Sequence, residues 1–165
     1  MSYLPCELHC HTIHSDGDFT VSELQKAAAD DHLAIIALTD HNTFSGWDEL
    51  DDNIIPAIRG IEWTTYFGHM LVLGANDFVD WRDAQPDNID EKIKQVKAVG
   101  GIVGIAHPYQ LGSPLCTGGR WEFNVRDWRN VDYIEVWHQN LYSAKRENER
   151  ALELWTSLLD KGYKI

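Results

Sequence analysis

The chain has 165 residues, 44% of them apolar and 24% charged, which is enough for one substantial core and excludes a disordered chain. A formal net charge of −12 excludes a general nucleic-acid binder, which needs a basic face, yet it leaves room for divalent cations, each offsetting two charges locally. The three cysteines, Cys6, Cys10 and Cys116, are odd in number and form no CxxC pair, so no disulfide framework is expected.

The N-terminus "MSYLPCELHC" carries no basic segment followed by an apolar one, and no apolar run approaches transmembrane length, so a cytoplasmic protein without a membrane partner is expected. A strand is predicted over residues 4–11. Alternation along it puts His9 and His11 on one face, with Cys6, Leu8 and Cys10 on the opposite, helix-covered face. "TVSELQKAAADD" reads as a helix, with Thr20 as N-cap and Glu23 completing a capping box. "LAIIALTD" suits a strand buried on both faces, and a short helix is expected over 46–50. "NIIPAIRGIEWTT" and "HMLVLGA" are the next strands. Residues 88–99 carry a helical period with Ile89, Ile93 and Val96 on one face, and "GG" stops it.

"GIVGIAHP" reads as a buried strand cut by Pro108. The segment 110–130 is irregular, with Gly112, Pro114, Gly118, Gly119, Trp121, Trp128, Arg120, Arg126 and Arg129, and its length suggests a functional loop. "VDYIEVWH" is a further strand. A long helix over 143–161 is closed by Gly162, and "YKI" reads as the start of another strand. Strands alternating with helices predict an α/β fold with a largely parallel sheet.

The chemistry gathers at the strand ends. An HxH pair presents two imidazoles to one ion. Asp16 follows the first strand, Asp40 and His41 follow the second, Glu62 in "GIEWTT" is expected at the end of the third, and His107 ends "GIVGIAHP". Carboxyl ends of parallel strands form one rim, where sites collect. His69 opens its strand instead, and reaches the same rim only if the flanking strands form a hairpin. Imidazole with carboxylate suits Zn, Mn or Fe, and Glu62 has two oxygens with which to bridge two ions. Such ions activate water near neutral pH and clamp the oxygens of an ester.

"ELHCHTIHSDG", "LTDHNT", "GIEWTT", "GHMLVLG", "AHP" and "YIEVWHQN", in that order, resemble the PHP family, the polymerase and histidinol phosphatase domain of metal-dependent phosphoesterases. The short form and the "GH…LG" element are most similar to the branch with small-molecule phosphodiesterases and carbaryl-hydrolase-like enzymes. The resemblance implies a distorted barrel of seven strand–helix units holding up to three divalent ions. His9, His11 and Glu62 would hold the first ion. Glu62 would bridge to the second, shared with His69 and His107. Asp16 and His41 would hold the third. Family members close the site with a late Ser-Asp-x-His element. None follows Glu135 in this chain, so a single domain over 1–165, truncated at its C-terminal end, is expected.

Asp40 reads as a residue that orients His41 or caps a turn, His32 as a surface residue, and Glu135 as a neighbour of the ligands rather than a ligand. His14 and His138 are rim histidines and the candidate catalytic groups, His138 as a proton donor to a leaving group. Arg120 is the sharpest candidate for gripping a phosphate. The expected function is metal-dependent hydrolysis of a phosphate mono- or diester of a small molecule or nucleotide. The alternatives are hydrolysis of a carbamate or other non-phosphate ester, or a non-catalytic metal-binding module.

Overall fold

A computed structural model describes residues 3–111, 118–138 and 144–165. The fold is mixed α/β, with six strands whose order in the sheet follows chain order, β1-β2-β3-β4-β5-β6. The chain divides into two compact units, one of Met1–Glu62 with Val72–Gly74, the other of Trp63–Leu71 with Ala75–Ile165.

In the first unit β1 (Cys6–Cys10) pairs in parallel with β2 (Ile35–Leu38), and β2 with the start of β3 (Ala57–Thr65). The register slips between Glu7 and Cys10, which marks a bulge in β1. The His9 N–H there donates to Glu7 Oε1 at 3.1 Å. Cys10 is buried as alternation predicts, but Cys6 is exposed, because β1 has a neighbour on one side only and its first residues run past the core. Helix α1 (Val21–Asp30) begins at the predicted capping box: the Glu23 N–H donates to Thr20 Oγ1, and the Thr20 N–H to Glu23 Oε2. His32, on the surface as expected, follows the helix with φ 60. Ala28, Ile36 and Ile55 form the core of this unit, with Leu24, Leu33, Ile54 and Ala57 against it. The predicted helix at 46–50 is a single 3-10 turn, Trp47–Glu49.

Helix α1 also buries a polar side chain. Gln25 is fully buried; its amide donates to the Asp51 carbonyl and its oxygen accepts from the Asp51 N–H, each at 3.0 Å. Gln25→Ala leaves both Asp51 groups without their partner. It is expected to lower the unfolding free energy by about 1–3 kcal/mol in a urea melt. An unchanged midpoint would show that water replaces the amide at no cost.

In the second unit, β3 ends and β4 (Gly68–Leu73) begins across the two residues Tyr66 and Phe67, so these neighbouring strands form a hairpin. β5 (Ile102–Ile105) pairs in parallel with β6 (Tyr133–Ile134). Helix α2 (Ile89–Ala98) buries Ile89, Ile93 and Val96, the face its period predicts. Helix α3 (Lys145–Asp160) closes at Gly162, whose φ of 87 suits glycine. The predicted helix start at Ser143 lies outside the described residues, as do Gly112, Pro114 and Cys116.

Two strand expectations are corrected. "VDYIEVWH" yields only two strand residues, because pairing with β5 ends once the Glu135 N–H has reached the Ile105 carbonyl at 3.0 Å, and His107 then turns away at φ 26. "YKI" is irregular: Trp155 Nε1 donates to the Ile165 carbonyl at 2.9 Å, and no strand among the described residues pairs with it. No helix among the described residues is long and apolar enough to cross a membrane.

Candidate metal centre

In the first unit the carboxyl ends of β1 and β2 lie beside Glu62, which is not at the end of its strand as expected but three residues before it, since the hairpin to β4 prolongs β3 to Thr65. His9 and His11 lie at the end of β1. Asp40 and His41 follow β2, and His41 continues the parallel ladder with a bridge to Glu62 on β3. The Asn42 N–H donates to the Glu62 carbonyl at 3.0 Å, which fixes His41 beside that carboxylate.

Three imidazoles close on one oxygen. Glu62 is 0% exposed, and its Oε2 lies 2.7 Å from His41 Nδ1, 3.3 Å from His9 Nε2 and 3.4 Å from His11 Nε2. His9 and His11 face each other through Nε2 at 3.0 Å. Burial, then the neighbouring His9, pushes the His11 pKa down to about 4, so this ring is neutral near pH 7 and keeps a lone pair. Its buried Nδ1 has no hydrogen-bond partner among the described residues. Burial works against protonation of His41 too, but the hydrogen bond and charge of Glu62 override it and raise its pKa. Two neutral rings facing through Nε2 share at most one hydrogen bond. The remaining lone pairs, gathered on a buried carboxylate, fit a divalent cation.

A second, more open group shares two of these rings. Ligand atoms of His11, Asp16 and His41 all lie within 4.8 Å of one another. Asp16 Oδ1 is 3.8 Å from His11 Nδ1 and Oδ2 is 3.4 Å from His41 Nε2, while the His11 and His41 rings stack at 4.3 Å. The Asp16 side chain is 68% exposed. The structure therefore brings His9, His11, Asp16, His41 and Glu62 together within the first unit.

The loop carrying Asp16 is held by residues that spacing in the sequence did not reveal. Asp40 is buried, and its carboxylate accepts from the Thr12 N–H at 2.7 Å, Thr12 Oγ1 at 2.8 Å and Ser15 Oγ at 2.6 Å. Thr39 Oγ1 accepts from the Cys10 N–H at 2.9 Å and donates to the Cys10 carbonyl at 3.0 Å. Burial, with Glu7 and Asp40 nearby, pushes the Cys10 thiol up to about 12, so it stays protonated near neutral pH and is no thiolate ligand.

Gly17 completes the loop by touching its start. A Cβ there would stand 2.3 Å from the His11 carbonyl oxygen and 2.7 Å from the Thr12 nitrogen, both backbone atoms. Gly17→Ala must therefore push residue 11 aside. We expect cation affinity, measured by titration calorimetry with Mn or Zn, to fall about 10-fold or more. Unchanged affinity would mean that the loop yields elsewhere and leaves His11 in place.

The second unit holds its own imidazoles. His69 on β4 and His107 just past β5 have ring centroids 5.0 Å apart, and His107 and His138 are 4.7 Å apart. Glu135 Oε2 accepts the His107 N–H at 2.9 Å, fixing the backbone of that residue at its positive φ. Asn148 of α3, buried, accepts from the His138 N–H at 3.0 Å and donates to its carbonyl at 3.1 Å. Of the arginines, Arg129 pairs with Asp127 at 2.7 Å, Arg126 lies 3.6 Å from Asp87, and Arg120 is exposed on a bridge to Tyr109.

Comparison with known proteins gives a consistent family. The PHP domain matches residues 7–103. Two proteins of Methanocaldococcus jannaschii are similar: MJ1295, 28% identical over 109 residues covering 66% of this chain and 48% of its own length, and MJ1587, 29% identical over 153 residues covering 83% and 85%. The chain thus spans about half the length of MJ1295. Among solved structures, a Bifidobacterium adolescentis protein inferred to be a metal-dependent phosphoesterase shares the fold at a TM-score of 0.63 and 18% identity, over 94% of this chain and 84% of that one.

Proposed function

The chain belongs to the PHP domain family, and from that premise we propose that it is a metal-dependent hydrolase acting on a phosphate mono- or diester of a small molecule or nucleotide. The observation that carries the reading is the convergence of three imidazole nitrogens within 3.4 Å of one buried carboxylate oxygen. The likeness in fold to a protein inferred to be a phosphoesterase supports the choice of ester.

In this reading His9, His11 and Glu62 hold one ion, and Asp16 and His41 hold another. In the second unit His69 and His107 are ligands to a further ion. The ions are Zn, Mn or Fe. Bound divalent cations supply a Lewis acid that lowers the pKa of water and offsets charge on the ester's oxygens. The chain's own part is to present lone pairs and balance charge. His11 is kept neutral by its burial. Glu62 places carboxylate oxygens in a dry position, where a charge on them acts strongly on anything cationic beside it. Asp16 keeps its carboxylate toward water. His138, its backbone held by Asn148, is the residue we assign to protonate the leaving oxygen.

The test strips the purified protein with EDTA and reloads it with Mn, Zn or Fe(II), followed by assay on p-nitrophenyl phosphate, bis-p-nitrophenyl phosphate, a nucleotide and an aryl carbamate. Turnover of a phosphate ester is expected to vanish on stripping and return on reloading. Turnover of the carbamate alone would replace phosphate with a carbonyl substrate. Tight metal binding with no ester hydrolysed would make the chain a metal-binding module.

A further inference from the structure

We propose that His14 is a positioning residue, a latch that sets the geometry of the open cation group His11–Asp16–His41; the proposal rests on the metal-binding reading above. His14 lies in the loop after β1, between His11 and Asp16. Its Nδ1 is 2.8 Å from Ser45 Oγ and its Nε2 is 2.9 Å from Glu49 Oε1. Both partners lie in the segment after β2 that carries His41. One imidazole ring therefore ties together the two loops that carry Asp16 and His41, and it uses both nitrogens to do so.

The far side of the latch is anchored. Glu49 ends the 3-10 turn Trp47–Glu49, and Trp47 Nε1 donates to the Gly60 carbonyl on β3 at 2.8 Å. Ser45 is held by Thr43, Oγ to Oγ1 at 3.0 Å and through its N–H at 3.2 Å. The ring packs on a bare backbone, since a Cβ at Gly46 would meet His14 Cδ2 at 3.1 Å. On the near side the His14 N–H donates to Thr12 Oγ1 at 3.3 Å. A continuous path thus runs from β3 through Trp47, Glu49 and His14 into the loop that ends at Asp16. Asp40 secures residues 12 and 15 of that loop to the end of β2, and His14 secures the same loop to the 45–49 segment. The Asp16 side chain is mostly exposed, so its placement depends chiefly on how its loop is tied. An untethered carboxylate pays rotamer and loop entropy on every binding event.

The experiment is a titration with cobalt(II), read by calorimetry and by the visible d–d spectrum, on wild-type protein, His14→Ala, Glu49→Ala and Glu49→Gln. Metal-free melts run alongside. Cobalt affinity of the open group is expected to fall about 10–100-fold in His14→Ala and Glu49→Ala, with an altered d–d band. Glu49→Gln keeps an acceptor for Nε2 and should restore most of the affinity. Glu49 is exposed on the surface, so its variants report even if His14→Ala folds poorly. Wild-type protein that binds cobalt, with Glu49→Ala and His14→Ala binding it equally and with the same spectrum, overturns the latch alone. Wild-type protein that binds no cobalt overturns the metal reading and the latch together.

Discussion

Glu62→Gln is expected to remove tight cation binding by the first unit and to lower hydrolytic turnover by roughly 10³-fold. The substitution keeps the volume of a fully buried side chain, so the core around it stays filled. What it removes is charge. His9, His11 and His41 all direct a nitrogen at Glu62 Oε2, and an amide offers them no negative counterpart and places an N–H donor among them. A cation entering a dry pocket lined with neutral rings then has no anion to offset its desolvation. Metal content after dialysis, by mass spectrometry, and turnover after reloading are the two measurements. A glutamine variant that keeps the wild-type metal content would show that Glu62 is no ligand, whatever its neighbours.

Asp40→Ala is expected to destabilise the metal-free protein by roughly 2–4 kcal/mol. Its carboxylate serves three donors at once, the Thr12 N–H, Thr12 Oγ1 and Ser15 Oγ. Thr12 is fully buried, so water cannot take over at its N–H. Asp40→Asn keeps one carbonyl acceptor and turns its amide toward a hydroxyl that can accept, so its cost should be well below that of alanine. Urea melts without metal separate this structural role from any part in binding. A loss under about 0.5 kcal/mol in Asp40→Ala would mean that the loop after β1 holds its shape unaided.

Glu62 and Asp40 show how far the sequence could be read. Strand alternation and the position of polar residues at strand ends were enough to gather His9, His11, His41 and Glu62, because both are properties of a strand and of a parallel sheet. The Thr20–Glu23 capping box and the Ile89, Ile93, Val96 face were equally local, three and four residues apart, and they stand as predicted. The supports were not legible. Asp40 meets Thr12 and Ser15 across 28 and 25 residues, and His14 meets Glu49 across 35. Such contacts depend on how two loops fold over each other, and single side chains of Thr or Ser carry no periodicity. Nothing in the sequence singled out Gly17. That it faces the His11 backbone follows from the loop doubling back, with the Gly17 N–H on the Thr12 carbonyl at 3.0 Å. β6 and the end at Tyr163 fall short of the expected strands because pairing is set by a neighbour: β5 is lost to β6 where His107 turns away, and no strand among the described residues pairs with 163–165.

The donors of the first unit grade from sealed to open, with Glu62 at 0% exposure and the Asp16 side chain at 68%. An ion held at Asp16 meets bulk water sooner than one held at Glu62 and is expected to leave first. A chelator then strips such a centre in two phases, and brief scarcity costs the outer ion while the inner one is kinetically retained.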